Sequence, residues 1–421
     1  MSEKRDGKRY RKRKNNTKGI MLSISIICLV IAGILYFTEI KKNTLELEEP
    51  QVTATPTQKP LAIMPPTITI PPNSTVSILT AGDNLIHSSL YEQANKRAGG
   101  GKGEYDFTFA YENIVDMIDG YDITMINQET LVNDVFSPAS YPMFNSPTEV
   151  GDEILEIGFD TICHANNHVL DKKEGGIVAT LDYWDRKDAF VYGAYKDEAD
   201  LQDIKLKEIN GITFSFLGVT EHTNGMPLYD SYKVEVVFAN ESQRIKDWIE
   251  KAELVSDVVV ISAHWGDENI NTPNANQKNF AKEWVGYGAD LIVGTHPHVV
   301  QDMEFIEKPD GGDAFVIYSL GNFISAQNRS NNLLGQLVAL NVVKNGLTGE
   351  ISFENIKAMP VVTHYTGSYK NITMYPFAEY TAEMANSHGL KTMGKEFSLE
   401  YLNGILDEYI NPEFLEKEKV W

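Results

Sequence analysis

The stretch 163-CHANNHVLD-171 follows the apolar run Gly158-Phe159-Asp160-Thr161-Ile162, at a point where a strand should end. Asparagine disfavours strand interiors and accepts unusual backbone angles, so Asn166 and Asn167 predict a turn into the next helix. Cys163 and His164 are neighbours on an extended chain and point to opposite faces, which excludes a Cys-His nucleophile pair between them. Cys163 reads as a small core residue and His164 as a hydrogen-bonded core histidine. Asn167 and His168 are left at the carboxyl end of the strand with no structural task beyond the turn.

Five other apolar runs end in the same way. Val76–Thr80 stops at 81-AGDNLIH-87, Asp122–Ile126 at 127-NQET-130, and Asp257–Ala263 at 264-HWGDE-268. Asp290–Val293 stops at 294-GTHPH-298 and Ala314–Tyr318 at 319-SLGNF-323. Helical spacing of apolar residues separates these runs, over 111–118, 148–157, 176–187, 240–254 and 277–287. The alternation predicts a layered α/β fold, in which ligands bind outside the carboxyl ends of the strands. Six of the nine histidines (His87, His164, His168, His264, His296, His298) lie in the six strand endings. Asn210-Gly211 and Lys344-Asn345-Gly346 carry hairpin signals, and 397–415 has a helical pattern.

His296-Pro297-His298 sets two imidazoles at i and i+2, on one side of an extended chain. With His264, Asp83, Glu129 and Asn167 they mix imidazole, carboxylate and amide oxygen without thiolate, a set suited to Mn, Fe or Zn. Gly82-Asp83 resembles the opening of a serine hydrolase, but Asn84 stands where the serine would be.

The ends of the chain frame this domain. Residues 1–18 hold nine Lys or Arg against Glu3 and Asp6, a basic tail of net charge +7. Gly19 to Thr38 run uncharged, long enough to span a bilayer, so 19–40 reads as an uncleaved anchor with its N-terminus cytoplasmic and the rest outside the cell. Residues 41–75 are rich in Pro and Thr and read as a stalk. The whole chain carries −22, so the part after residue 18 carries −29. A surface so acidic excludes nucleic acid as a partner. Of the two cysteines Cys28 lies in the anchor, so no disulfide can form within the outer domain.

Taken in order, Gly82-Asp83, Asn127-x-Glu129, Ala165-Asn166-Asn167-His168-x-Leu170-Asp171, His264-Trp265-Gly266-x-Glu268, His296-Pro297-His298-Val299-x-Gln301 and Tyr318-Ser319-Leu320-Gly321-Asn322-Phe323 resemble the CapA family of poly-γ-glutamate capsule synthesis proteins. The resemblance covers residues 76–326, leaving 327–421 as a C-terminal extension of hairpin and helix that completes the sheet. It implies a calcineurin-like metallophosphoesterase fold, a four-layer α/β sandwich, preceded here by one transmembrane helix and the Pro-rich stalk. It also implies two divalent metal ions. Asp83 and His298 would bind the first, Asn167, His264 and His296 the second, with Glu129 bridging and His168 protonating a leaving group. His87, Asn127, Glu268 and Asn322 are further candidates. Related phosphoesterases place a histidine two residues after the first aspartate; Leu85 stands there, and His87 follows at i+4.

Two functions stay open at this stage. One is a membrane-anchored, metal-dependent hydrolase acting on phosphoester or γ-glutamyl amide bonds, in the synthesis, export or anchoring of an acidic capsule polymer. The other is a non-catalytic component that grips such a polymer during capsule or wall assembly. Either would work beside other capsule synthesis membrane proteins.

Overall fold

The computed structural model describes residues 71–187, 189–309 and 311–421. The basic tail, the anchor and nearly all of the stalk lie outside the described residues, among which no helix is long and apolar enough to cross a membrane.

Fifteen strands are described, β1 (Ser74–Asn84), β2 (Ile123–Asn127), β3 (Thr161–Cys163), β4 (Phe190–Tyr192), β5 (Leu206–Ile209), β6 (Ile212–Thr220), β7 (Val237–Phe238), β8 (Val258–His264), β9 (Leu291–Thr295), β10 (Met303–Glu307), β11 (Asp313–Ile317), β12 (Asn322–Ile324), β13 (Leu334–Lys344), β14 (Ile351–Thr366) and β15 (Lys370–Pro376). They form two mixed sheets. The first has the order β15-β14-β13-β1-β2-β3-β4, with β12 also on β1; the second has β10-β11-β9-β8-β6-β5, with β7 on β6. The longer helices are α1 (Ser88–Arg97), α2 (Glu149–Glu156), α3 (Lys173–Asp185), α4 (Ser242–Ala252), α5 (Ala275–Tyr287) and α6 (Leu399–Tyr409).

The period of two along a strand sorts the apolar side chains of the second sheet. Phe214, Phe216, Val258, Val260, Leu291, Val293, Phe315 and Ile317 join the core shared with the first sheet. Their alternates, Leu217, Val219, Val259, Ile261, Ile292, Ala314 and Val316, pack instead with Trp248 and Ile249 of α4 and Trp284 and Val285 of α5. Each strand is thus buried on both faces, which explains why these runs are continuously apolar. Between the sheets, the rings of Phe190 and Tyr192 approach Phe216 at 5.1 and 5.5 Å.

Both hairpin signals correspond to antiparallel pairs. Asn210 and Gly211, at φ 53° and 77°, close the two-residue turn between β5 and β6, and β13 pairs with β14 across 345–350. The helix expected over 111–118 is broken into a four-residue helix, Thr108–Tyr111, and a 3-10 turn, Val115–Met117. In the break, the Asn113 amide donates to Met374 O on β15 at 2.9 Å, and Tyr111, Ile114, Met117 and Ile118 all stay buried. The Asn113 side chain ties the break to the neighbouring strand, while the apolar spacing is satisfied by packing.

Candidate metal centre

β1 runs on to Asn84, past the predicted end at Thr80, because β12 lies parallel beside its last residues and pairs Asp83 with Asn322. Gly82 permits this approach, since a Cβ there would stand 1.9 Å from Gly321 O. The Asp83 carboxylate is therefore fully buried at the carboxyl end of a central strand. Beside it, β2 delivers Asn127 and, two residues on, Glu129. From the second sheet, β8 ends on His264 and β9 leads into His296 and His298.

These groups converge. His298 Nδ1 lies 3.1 Å from Asp83 Oδ2 and 3.0 Å from Asn322 Oδ1. His264 Nε2 lies 3.2 Å from Asn167 Oδ1 and 3.1 Å from His296 Nδ1. Between the two groups stands Glu129, whose Oε1 is 3.8 Å from both His264 Nε2 and His298 Nε2. Asp83, Glu129 and His298 each offer a ligand atom within 4.8 Å of the others.

The His-Pro-His segment is not the extended chain that the i, i+2 spacing suggests. His296 and His298 have φ of 97° and 58°, in the left-handed region, and Pro297 O accepts a hydrogen bond from Asn269 N at 2.8 Å. The tight turn sends the rings to different partners, with centroids 5.9 Å apart. Such backbone costs on the order of 1–3 kcal/mol per residue and persists where surrounding contacts enforce it.

Electrostatics show what the cluster lacks. Both carboxylate oxygens of Glu129 are buried without a hydrogen-bond partner. An ionised carboxylate is costly there, so burial raises the Glu129 pKa well above the usual range. Burial by itself would lower the His298 pKa, but Glu129 and Asp83 facing it prevail and raise it to about 9. Burial and the neighbouring imidazoles His296 and His298 push His264 well below its ordinary value, which leaves its ring neutral as a ligand must be. A divalent cation would satisfy the orphaned Glu129 oxygens and the facing imidazoles together, so the residues present fit a metal.

His168 stands apart from this cluster. Its Nδ1 is 2.8 Å from Asp171 Oδ2, which also accepts the backbone N–H of Phe144, and the Phe144 ring packs edge-on at 4.7 Å. The other nitrogen, Nε2, faces Asn224 at 3.5 Å. Of the further candidates, Asn322 touches His298 as described. Asn127 braces: its amide donates to Asp83 Oδ1 at 2.7 Å. His87 is not among the ligand atoms grouped at Asp83, Glu129 and His298; its Nδ1 is 3.1 Å from Leu85 O, and desolvation lowers its pKa to about 4, which keeps the ring neutral. His87 and Glu268 line an adjoining cleft instead. His164 is a core residue, accepting from Trp184 Nε1 at 2.7 Å, and Cys163 is buried.

Sequence reading gave no role to Asp171, Thr295, His222 or Asn224. Thr295 Oγ1 is 3.0 Å from His264 Nδ1, and the His222 ring meets His296 at 4.9 Å. The signal for the last two was present: β6 ends in 220-TEHTN-224, the same polar ending as the other strands.

Residues 77–327 match the profile of a family described as "Bacterial capsule synthesis protein PGA_cap". The chain is 30% identical over 194 residues to the PGA biosynthesis protein CapA of Bacillus subtilis (strain 168), covering 46% of this chain and 50% of that protein. It is 30% identical over 197 residues to the capsule biosynthesis protein CapA of Bacillus anthracis, covering 46% of each. The chain thus spans about half the length of the curated relatives it matches. Similar solved structures include a phosphatase from Mycoplasma pneumoniae (14% identity, TM-score 0.41, 68% of this chain and 94% of that one). Another is the NAD nucleotidase NadN of Haemophilus influenzae (12% identity, TM-score 0.40, 83% and 58%). The profile match runs from β1 through every residue of the cluster and covers more than half of the chain, which therefore belongs to the bacterial capsule synthesis protein PGA_cap family.

Proposed function

We propose that this chain is a membrane-anchored protein of the outer cell surface that acts on an acidic capsule polymer, of the poly-γ-glutamate kind, through a metal-dependent hydrolase site. The observation that carries the reading is the buried Glu129 carboxylate, without a hydrogen-bond partner, between His264 and His298. In the resemblance to calcineurin-like metallophosphoesterases, Glu129 would take the bridging carboxylate position. Asp83 and His298 would hold one ion and Asn167, His264 and His296 a second, of Mn, Fe or Zn, with Glu129 between them.

Bound there, a divalent ion supplies Lewis-acid polarisation to a phosphoryl or amide carbonyl oxygen. The chain's own groups do the remaining work. Asn127 holds Asp83 in place through its 2.7 Å hydrogen bond, and Thr295 orients the His264 ring. With Nδ1–H donated to Asp171, His168 carries its mobile proton on Nε2, on the Asn224 side, where a leaving oxygen or nitrogen can take it. Phe144 covers one edge of that ring against water.

The test is elemental analysis of the purified protein, joined to an assay against phosphoesters and γ-glutamyl peptides. Metal bound with turnover of one substrate class supports the reading. Metal bound without turnover of any favours the non-catalytic assembly role.

A further inference from the structure

A cleft of about 520 Å³ adjoins the cluster, and His87, Glu268, Asn269, Gln327, Arg329 and Asn332 are among its lining residues. It is one hydrogen bond removed from the metal ligands. The Asn322 amide, whose oxygen faces His298, donates to Gln327 Oε1 at 2.9 Å and to Asn332 O at 2.8 Å. Asn269 bonds to Pro297, between the two histidines. Glu268 is close enough to act electrostatically on both Glu129 and His298.

Arg329 is unusual in this chain. Four arginines fall among the described residues. Arg244 pairs with Glu198, Glu235 and Glu241, Arg97 lies over the Phe109 ring, and Arg186 over Tyr183. Arg329 is exposed, is the one fixed cation lining the cleft, and enters no ion pair among the described residues, Glu268 included. A second orphan lies in the same wall: Asn332 Oδ1 is buried and accepts nothing, although the Asn332 amide donates to Asn269 and Gln327.

We infer that this cleft is the carboxylate-recognition subsite of the centre and that Arg329 is its specificity residue. An acidic polyamide places a free carboxylate and an amide N–H on each repeat. Arg329 takes the carboxylate, Asn332 Oδ1 is the acceptor for an N–H, and Glu268 repels the carboxylate from the wrong end, which fixes the direction of the chain. The inference rests on the reading of the cluster as a polymer-acting centre.

The experiment measures binding to full-length protein in detergent by titration calorimetry. The probes are a short γ-linked glutamate oligomer and its methyl ester, and the variants are Arg329→Gln and Arg329→Lys. We expect wild type to bind the acid and not the ester. Arg329→Gln should weaken binding by about tenfold or more, as for loss of one charge-assisted pair, with Arg329→Lys intermediate and metal content unchanged. Wild-type affinity in Arg329→Gln, equal binding of acid and ester, or no binding by wild type would each overturn the subsite. Failure of the hydrolase reading looks different: Arg329-dependent binding would persist in a protein that holds no metal or turns nothing over.

Discussion

The His168 imidazole and the Asp171 carboxylate are joined by a buried 2.8 Å hydrogen bond, three residues apart within one turn after β3. The pair engages Nδ1 and leaves Nε2 toward Asn224, whose side chain in turn accepts from Asn167, so the ring is one residue removed from the groups around Glu129. On the proposed reading, proton delivery would therefore be separable from metal binding by mutation.

His168→Asn should leave metal content and melting temperature nearly unchanged while turnover falls by about 10² to 10⁴-fold, the usual worth of a general acid. Asp171→Ala should cost stability as well, roughly 1–3 kcal/mol, because Phe144 N–H loses its buried acceptor. Elemental analysis, thermal unfolding and rate measurement on both variants check this. A His168→Asn protein that is stable, metal-loaded and as active as wild type would defeat the assignment.

The orphaned carboxylate sets up an opposed pair of effects. Glu129→Gln keeps the shape of the side chain and removes its ability to ionise where burial disfavours the charge, so the metal-free protein should be no less stable than wild type. Added Mn or Zn should raise the melting temperature of wild type and fail to do so for the variant. An equal metal-induced rise in both would show that Glu129 is not a ligand.

His296→Ala combined with His298→Ala should strip most transition metal from the protein, since each ring belongs to a different half of the cluster. Alanine keeps the Cβ that makes left-handed backbone costly at both positions, so cooperative unfolding of the apo variant is the control that the fold survives the change. Unchanged metal stoichiometry would remove the site.

Acid stability should report on His164. Burial lowers its pKa to about 3, below the unfolded value near 6.5. Its contribution is intact above pH 6.5. As pH falls from 6.5 toward 3 the unfolded chain binds a proton that the folded one refuses, and stability drops by up to about 1.4 kcal/mol per pH unit. His164→Gln should flatten this limb by close to one proton in a pH series of denaturant titrations. Identical slopes would contradict the assignment of a neutral core histidine.

The charge pattern flanking 19–40 makes a topological prediction. A reporter fused after Trp421 should be active outside the cell, and cytoplasmic activity would reverse the orientation.

Much of this protein is written in local signals. Alternation along β8 and β9, the polar residues that end each apolar run, and the Asn-Gly turns at 210–211 and 345–346 follow from rules that act within a few residues, so the sequence alone determines the elements and the residue types at the strand ends. It does not determine which endings meet. His264 reaches Asn167 across 97 positions, and Asp83 reaches His298 across 215, because β1 sits centrally in one sheet and β8 and β9 in the other, with both sheets presenting these ends together. Spacing misled where tertiary bonds overrode it, in the broken 111–118 helix and in the left-handed turn at His296 and His298. Arg329 had no local signal at all: what sets it apart is that no carboxylate among the described residues forms an ion pair with it, and only the packed structure places the other charges.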